Sequence, residues 1–278
     1  WINAPWLLAV FPDLTLSSEF SRYTYFTFSG TAKNAVYNIS RTNIQIQSTN
    51  NFTNSFSLSS DLSLEYSATD AKFITIDLSN SYSHVFARLG TTLLIDTRDS
   101  YVVPSRGLYT FLRAEAVQDV SSGKNDTEDI IRLIGRWNIS IPLIRNKLIF
   151  SPQTMIGYNF NPTSIPEYNL FIGGNSFLPV NEGSFPFPGI EYFERSGQAL
   201  FIQNVQLQFQ LLHNHYLIAE GDMGSSQGSI YDLLLKRPFY GIRFSYCYNS
   251  VIGPLLISVH SSEIHPVPGF FLSFGYRL

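Results

Sequence analysis

Charge is scarce in this chain: Asp, Glu, Lys and Arg make up 14% of its 278 residues, against about 25% in an ordinary soluble domain. A formal net charge of −3 leaves no basic excess to neutralise phosphates, so nucleic acid is not an expected partner. The single cysteine, Cys247, excludes an intrachain disulfide, and its place on an apparent strand predicts an inert wall residue. No uninterrupted apolar run approaches the roughly 20 residues that a membrane-spanning helix needs. Phosphate-cradling glycine loops, dinucleotide fingerprints and HExxH are all missing, so no cofactor is expected. The start, Trp1-Ile2-Asn3-Ala4-Pro5, carries neither methionine nor a basic stretch. That predicts a processed product or the carboxy-terminal piece of something longer.

What the chain does have is alternation. Successive side chains of a strand point to opposite faces, and the last ten residues, Gly269 to Leu278, put apolar or aromatic side chains on one parity and mostly small or charged ones on the other. Between 198 and 212, Phe201, Val205, Leu207, Phe209 and Leu211 interleave with Asn204, Gln206, Gln208 and Gln210. Ile131, Leu133, Trp137, Ile139 and Ile141 oppose Arg132, Arg136, Asn138 and Ser140, and Phe56, Leu58, Leu62, Leu64 and Tyr66 oppose Ser57, Asp61, Ser63 and Glu65. Such patterning predicts strands near 269–278, 252–263, 238–250, 214–224, 198–212, 147–160, 128–144, 107–120 and 84–98. Less regular stretches predict further strands near 5–12, 18–29, 34–48, 55–67 and 72–80.

The connections sort by length. Turns at Gly253-Pro254, His213-Asn214 and Arg145-Asn146 alternate with loops at 225–237, 161–197 and 121–128, with a shorter loop at 264–268. A membrane barrel has short turns on one side and longer loops on the other; a soluble β-sandwich, the alternative, has no reason to sort them. With no convincing helix, the predicted fold is all-β, a transmembrane antiparallel β-barrel of about 14–16 strands over residues 1–278. Closure is required because an open edge in hydrocarbon leaves backbone groups unpaired. The lumen is wider than wall side chains can fill, and 161–197 is long enough to fold into it as a plug.

One segment carries a family resemblance. Asp96-Thr97-Arg98-Asp99, followed by Pro104 and Gly107, resembles the D-x-R-D…P-x-x-G turn of the BamA-like superfamily of outer-membrane assembly and secretion barrels. In that superfamily the long loop before the fifth strand from the end folds inward and ends in an Arg-Gly-aromatic tip. Here the corresponding segment keeps Gly173-Gly174 but lacks the tip, since Arg195 is followed by Ser196. The later stretches Ser196 to Leu200, Asn214 to Ala219, Gly241 to Tyr246 and Ser250 to Leu255 look closest to the barrels of patatin-like phospholipases. That resemblance implies about sixteen strands, with a hydrolase and a small periplasmic domain upstream.

The candidate chemistry is thin. Gly224-Ser225-Ser226-Gln227-Gly228 matches G-x-S-x-G, but a nucleophile elbow needs a strand, a sharp turn and a helix; a chance match is the reading here, and no chemistry is expected of this chain. His213, His215, His260 and His265 read as turn and rim residues without a third metal ligand. Arg88, Arg113, Glu115, Arg132, Arg136, Glu220, Asp222, Arg243 and Arg277 mostly oppose the apolar parity. A charge toward lipid at mid-depth costs about 2–4 kcal/mol, so these side chains are expected to line the lumen, with Glu220 and Asp222 holding Arg195 of the folded-in loop. Tyr23, Tyr25, Phe26, Phe28, Trp137, Tyr240 and Tyr276 could form interfacial girdles. The expected place is the outer membrane of a Gram-negative bacterium, among outer-membrane lipids and with possible outer-membrane or periplasmic subunits. The expected role is to anchor or translocate an attached patatin-like domain. An assembly or secretion barrel and a simple porin are the alternatives.

Overall fold

The computed structural model describes residues 12–29, 32–74, 82–121, 129–145, 147–161, 165, 168–175 and 183–275. Along them run β1 (Asp13–Ser29), β2 (Ala32–Thr53), β3 (Phe56–Ile74), β4 (Tyr82–Asp96), β5 (Gly107–Asp119), β6 (Asp129–Ile144), β7 (Leu148–Asn159), β8 (Leu170–Ile172), β9 (Ser184–Phe185), β10 (Arg195–Gly197), β11 (Ala199–Leu212), β12 (His215–Gln227), α1 (Ile230–Leu235), β13 (Phe239–Ser250), β14 (Gly253–Ser262) and β15 (Gly269–Phe274). Twelve strands form one sheet in the order β1 to β7, then β11 to β15. Each neighbour in it is the next strand along the chain, apart from the step from β7 to β11. The long connection spanning that step carries its own small sheet, β10-β8-β9.

Side-chain parity turns the usual soluble arrangement inside out. On β3, Leu62, Leu64 and Tyr66 are about half exposed, whereas Asp61, Ser63, Glu65, Ser67 and Thr69 are buried; Leu64 is 58% exposed and its neighbour Glu65 1%. On β13, Tyr240, Ile242 and Phe244 are exposed while Arg243, Ser245 and Cys247 are buried. Val205, Leu207, Phe209 and Leu211 of β11 are exposed too, with Asn204 and Gln208 buried. In water such an apolar face would be an aggregation liability; against hydrocarbon it is the favourable side, and the polar parity is the one that needs protein partners.

The chain divides into two compact units. In the first (residues 1–95, 111–133 and 159–168), Phe86, Val117 and Ile130 pack with Ile165 and Tyr168 from the start of the long connection. In the second (96–110, 134–158 and 169–278), Val103 of the β4–β5 turn is buried with Ile218, Cys247 and Leu256. Cys247 is thus a packed wall residue, as the sequence suggested.

Several boundaries need correction. The first three residues of the strand expected near 72–80 belong to the end of β3, whose ladder with β2 continues as Tyr37↔Ala71 and Ala35↔Ile74. Gly253 and Pro254 open β14 rather than forming the turn, which falls at Val251-Ile252. β12 runs on to Gln227, so the loop expected at 225–237 narrows to 228–238 and contains α1, a helix the alternation did not foresee. The strand near 5–12, residues 75–80, and Tyr276 and Arg277 lie outside the described residues.

Candidate functional site

The buried polar face is the candidate site, and its two parts are built separately in the two units. In the first unit, strands β2 to β6 bring acids and arginines to one level. Glu65 of β3 accepts from Arg41 Nη2 at 2.5 Å and Nε at 2.8 Å, and from Arg88 Nη1 at 3.0 Å. Glu115 of β5 accepts from Arg113 Nε at 3.0 Å and Arg88 Nη2 at 3.4 Å, and pairs with Arg132. Arg113 reaches across β4 to grip Asp61 of β3 with two nitrogens, at 2.7 and 3.0 Å. Gly90 of β4 makes that reach possible, since a Cβ there would lie 2.5 Å from Arg113 Nη2 and 2.8 Å from Asp61 Oδ1. Buried charges persist only when paired and hydrogen-bonded, and here every acid meets at least one guanidinium.

Into this lattice comes Tyr168, fully buried. Its hydroxyl donates to Glu65 at 3.2 Å, its ring centroid lies 5.7 Å from the Arg41 guanidinium carbon and 5.5 Å from that of Arg132, and Phe86 meets it edge to face at 4.9 Å. Asn159 Nδ2 donates to its carbonyl at 3.1 Å. The opening limb of the long connection is therefore pinned by one aromatic side chain between two cations.

In the second unit the rest of that connection lies on the polar face of β12 to β14. Arg243 grips Glu220 from β13 with Nη2 at 2.6 and 2.7 Å and donates through Nη1 to the Asn175 carbonyl at 3.0 Å. Asn175 Oδ1 accepts from the Gly189 amide at 3.1 Å, and the Gly189 carbonyl accepts from Ser262 Oγ at 2.7 Å. His265 Nε2 sits 2.9 Å from both oxygens of buried Glu194. Phe187 fits over Gly224 and Gly241, where a Cβ would meet its ring at 2.8 and 2.6 Å. The double glycine has positive φ at both positions, 140° and 96°, which side-chain-bearing residues rarely adopt. That geometry lets the Gly173 amide reach the Phe185 carbonyl and the Gly174 amide the Ile190 carbonyl.

The expected pairing of Glu220 and Asp222 with Arg195 is corrected. Glu220 takes Arg243, Asp222 accepts from Asn204 Nδ2 at 2.9 Å, and no ion pair joins either carboxylate to Arg195 among the described residues. Arg195 sits in β10, paired with Ile172 of β8. Arg243 stands directly opposite Glu220 in the β12–β13 ladder and takes the carboxylate that the sequence assigned to Arg195.

The turn motif holds together as a unit. Asp96 takes the Arg98 guanidinium at 2.7 and 2.9 Å, and that guanidinium lies 4.3 Å from the Tyr109 ring centroid. Asp99 accepts from the Ser105 and Arg106 amides at 2.8 and 3.3 Å and from the Ser105 hydroxyl. Partial burial pushes the Asp99 carboxyl up, but these hydrogen bonds outweigh it and hold the group below its ordinary value. Pro104 lies inside the turn, and Gly107, at φ 112°, closes it where a Cβ would lie 2.5 Å from the Thr97 carbonyl oxygen.

Ser226 lies within β12, opposite Leu200, rather than on an elbow. His215 bonds the Tyr246 hydroxyl at 2.6 Å and stacks on Tyr248. No cluster of three metal-ligating side chains occurs among the described residues. Trp137 and Tyr240 are exposed on the apolar parity. Sequence reasoning missed Tyr168, Arg41 and Gly90 as site residues. Asp61 and Glu65 had been placed on the polar parity, but nothing local announced their partners.

Apolar strands outside, paired charges within and a long connection folded onto the polar face define a membrane β-barrel with an inward loop. The comparisons agree. Residues 14–278 match the family model of the OMP85 superfamily, and the chain belongs to that superfamily of outer-membrane barrels. It is similar to BamA from Haemophilus ducreyi lacking POTRA domains 1–3 (13% identity, TM-score 0.64, covering 94% of this chain and 57% of that one). It is also similar to CdiB from Acinetobacter baumannii (15% identity, TM-score 0.62, covering 96% and 48%). The chain thus spans about half the length of these two structures. No curated protein matches the sequence.

Proposed function

We propose that the chain is the outer-membrane barrel of a protein that passes or inserts polypeptide, with residues 161–197 acting as a movable plug rather than as decoration of an open pore. The observation behind this reading is the way the long connection is fastened: Tyr168 to Glu65 in one unit, Asn175 and Gly189 to Arg243 and Ser262 in the other. These polar fastenings act beside a packed apolar part of the same connection, in which Leu170, Ile172, Phe185 and Phe187 are fully buried.

Planar-bilayer recording tests the plug. The wild-type barrel should conduct little, and Tyr168→Ala combined with Ser262→Ala should raise the open probability several-fold. Equal, steady conductance in both would contradict a plug. A second reading, an anchor or conduit for an attached patatin-like lipid hydrolase, rests on the resemblance of Ser196–Leu200, Asn214–Ala219, Gly241–Tyr246 and Ser250–Leu255 to such barrels. The coding sequence upstream separates the two: periplasmic repeats favour the first, a hydrolase domain the second. Outer-membrane lipids, and further outer-membrane or periplasmic subunits, are the partners this role calls for.

A further inference from the structure

α1 (Ile230–Leu235) is short, capped by Ser229 Oγ on the Asp232 amide at 3.1 Å, and has no buried residue. Six residues are far below the length at which an isolated helix holds its own in water, so a stable α1 needs packing, and the protein supplies little. Leu234 is 78% exposed, Tyr231 71%, Leu235 66% and Ile230 51%. This is a dense apolar cluster in a loop, where polar turn residues are the rule.

Its place identifies the cover. α1 touches β11 and β12, and Tyr240, the first exposed aromatic of the apolar parity on β13, is the fifth residue after Leu235, a span of at most about 17 Å. From there the lipid-facing side chains run on without a break as Ile242 and Phe244. The polar layer of a bilayer adds roughly 5–7 Å per side to the hydrocarbon, within the reach of that short connection. Directly after the cluster come Lys236, 3.4 Å from Asp232, and Arg237, 2.8 Å from Glu263. The Arg237 side chain is still 76% exposed, free to face lipid phosphates. Apolar side chains beside a basic pair are the composition of an interfacial anchor.

We propose that α1 is a membrane-interface anchor: Ile230, Tyr231, Leu234 and Leu235 enter the lipid at the rim of the barrel, and Lys236 and Arg237 sit among the headgroups. The test is spin-label depth measurement in vesicles of phosphatidylethanolamine and phosphatidylglycerol, using the full chain with Cys247→Ser and single cysteines at 231, 234 or 235. A cysteine at exposed Asn54, in the turn between β2 and β3, serves as the aqueous reference. Labels on α1 should collide with oxygen several-fold more often than with a nickel chelate, and the reference should show the reverse. Nickel accessibility at 234 equal to that at 54 would overturn the proposal and indicate an aqueous or protein-facing helix. Leu234→Asp gives a second reading: the label at 231 should then shift to aqueous-like accessibility, and an unchanged value would also count against the anchor.

Discussion

In the first unit three arginines from three strands converge on Glu115. Removing one partner of a buried pair leaves the others uncompensated and costs about 3–5 kcal/mol. Glu115→Gln should therefore lower the unfolding free energy obtained from urea titration in micelles by that amount, and a loss under about 1 kcal/mol would mean that water, not Glu115, satisfies the arginines. Asp99 makes a pH-dependent contribution. Its carboxyl is depressed in the folded turn, so its stabilisation is complete above the ordinary carboxylate value of about 3.9 and is lost as pH falls through the lower, folded value. Hydrogen exchange of 97–106, corrected for intrinsic rates, should rise below about pH 4 in the wild type, and Asp99→Asn should show raised exchange at pH 6 with little further change on acidification. At this scale much was hidden in the sequence. Asp61 and Arg113 are 52 residues apart and separated by a strand, and only three-dimensional register together with the missing Cβ of Gly90 brings them together. Parity told which way they point; it could not tell what they meet.

Parity was legible at the scale of elements because a strand repeats every two residues, and β3, β6 and β11 kept that repeat through their lipid-facing lengths. Ends were less legible where strands outrun the bilayer. Crossing takes about 9–11 residues, whereas β2 has 22 and β3 19. The surplus need not alternate, and so Ala68 to Ala71 read as a break although their ladder continues. Two substitutions probe the elements. Gly107→Ala forces a side chain into positive φ and against the Thr97 carbonyl, a strain of about 1–3 kcal/mol. It should appear as a lower unfolding midpoint with unchanged sheet content by circular dichroism. Leu64→Lys places a charge on the lipid face at a cost of about 2–4 kcal/mol, whereas Ser57→Thr, near the start of β3 on the opposite parity, should cost under about 0.5 kcal/mol. Equal effects would mean that β3 does not face lipid.

For the whole molecule, the family was legible in the sequence through the Asp96 to Gly107 turn and the loop that follows in the expected place, while the choice among its members was not. Barrels of one superfamily share the wall that lipid demands and differ in loops and attached domains, and this chain covers about half of each solved structure it matches. The central claim is that alternate side chains are divided between hydrocarbon outside and a buried polar interior. Refolding the urea-denatured 278-residue chain by dilution, with and without lipid vesicles or micelles, and following sheet content by circular dichroism together with heat-modifiable gel mobility, tests it directly. The account predicts a heat-modifiable β-sheet form only when lipid or detergent is present; a monodisperse, folded sheet in buffer alone would contradict it.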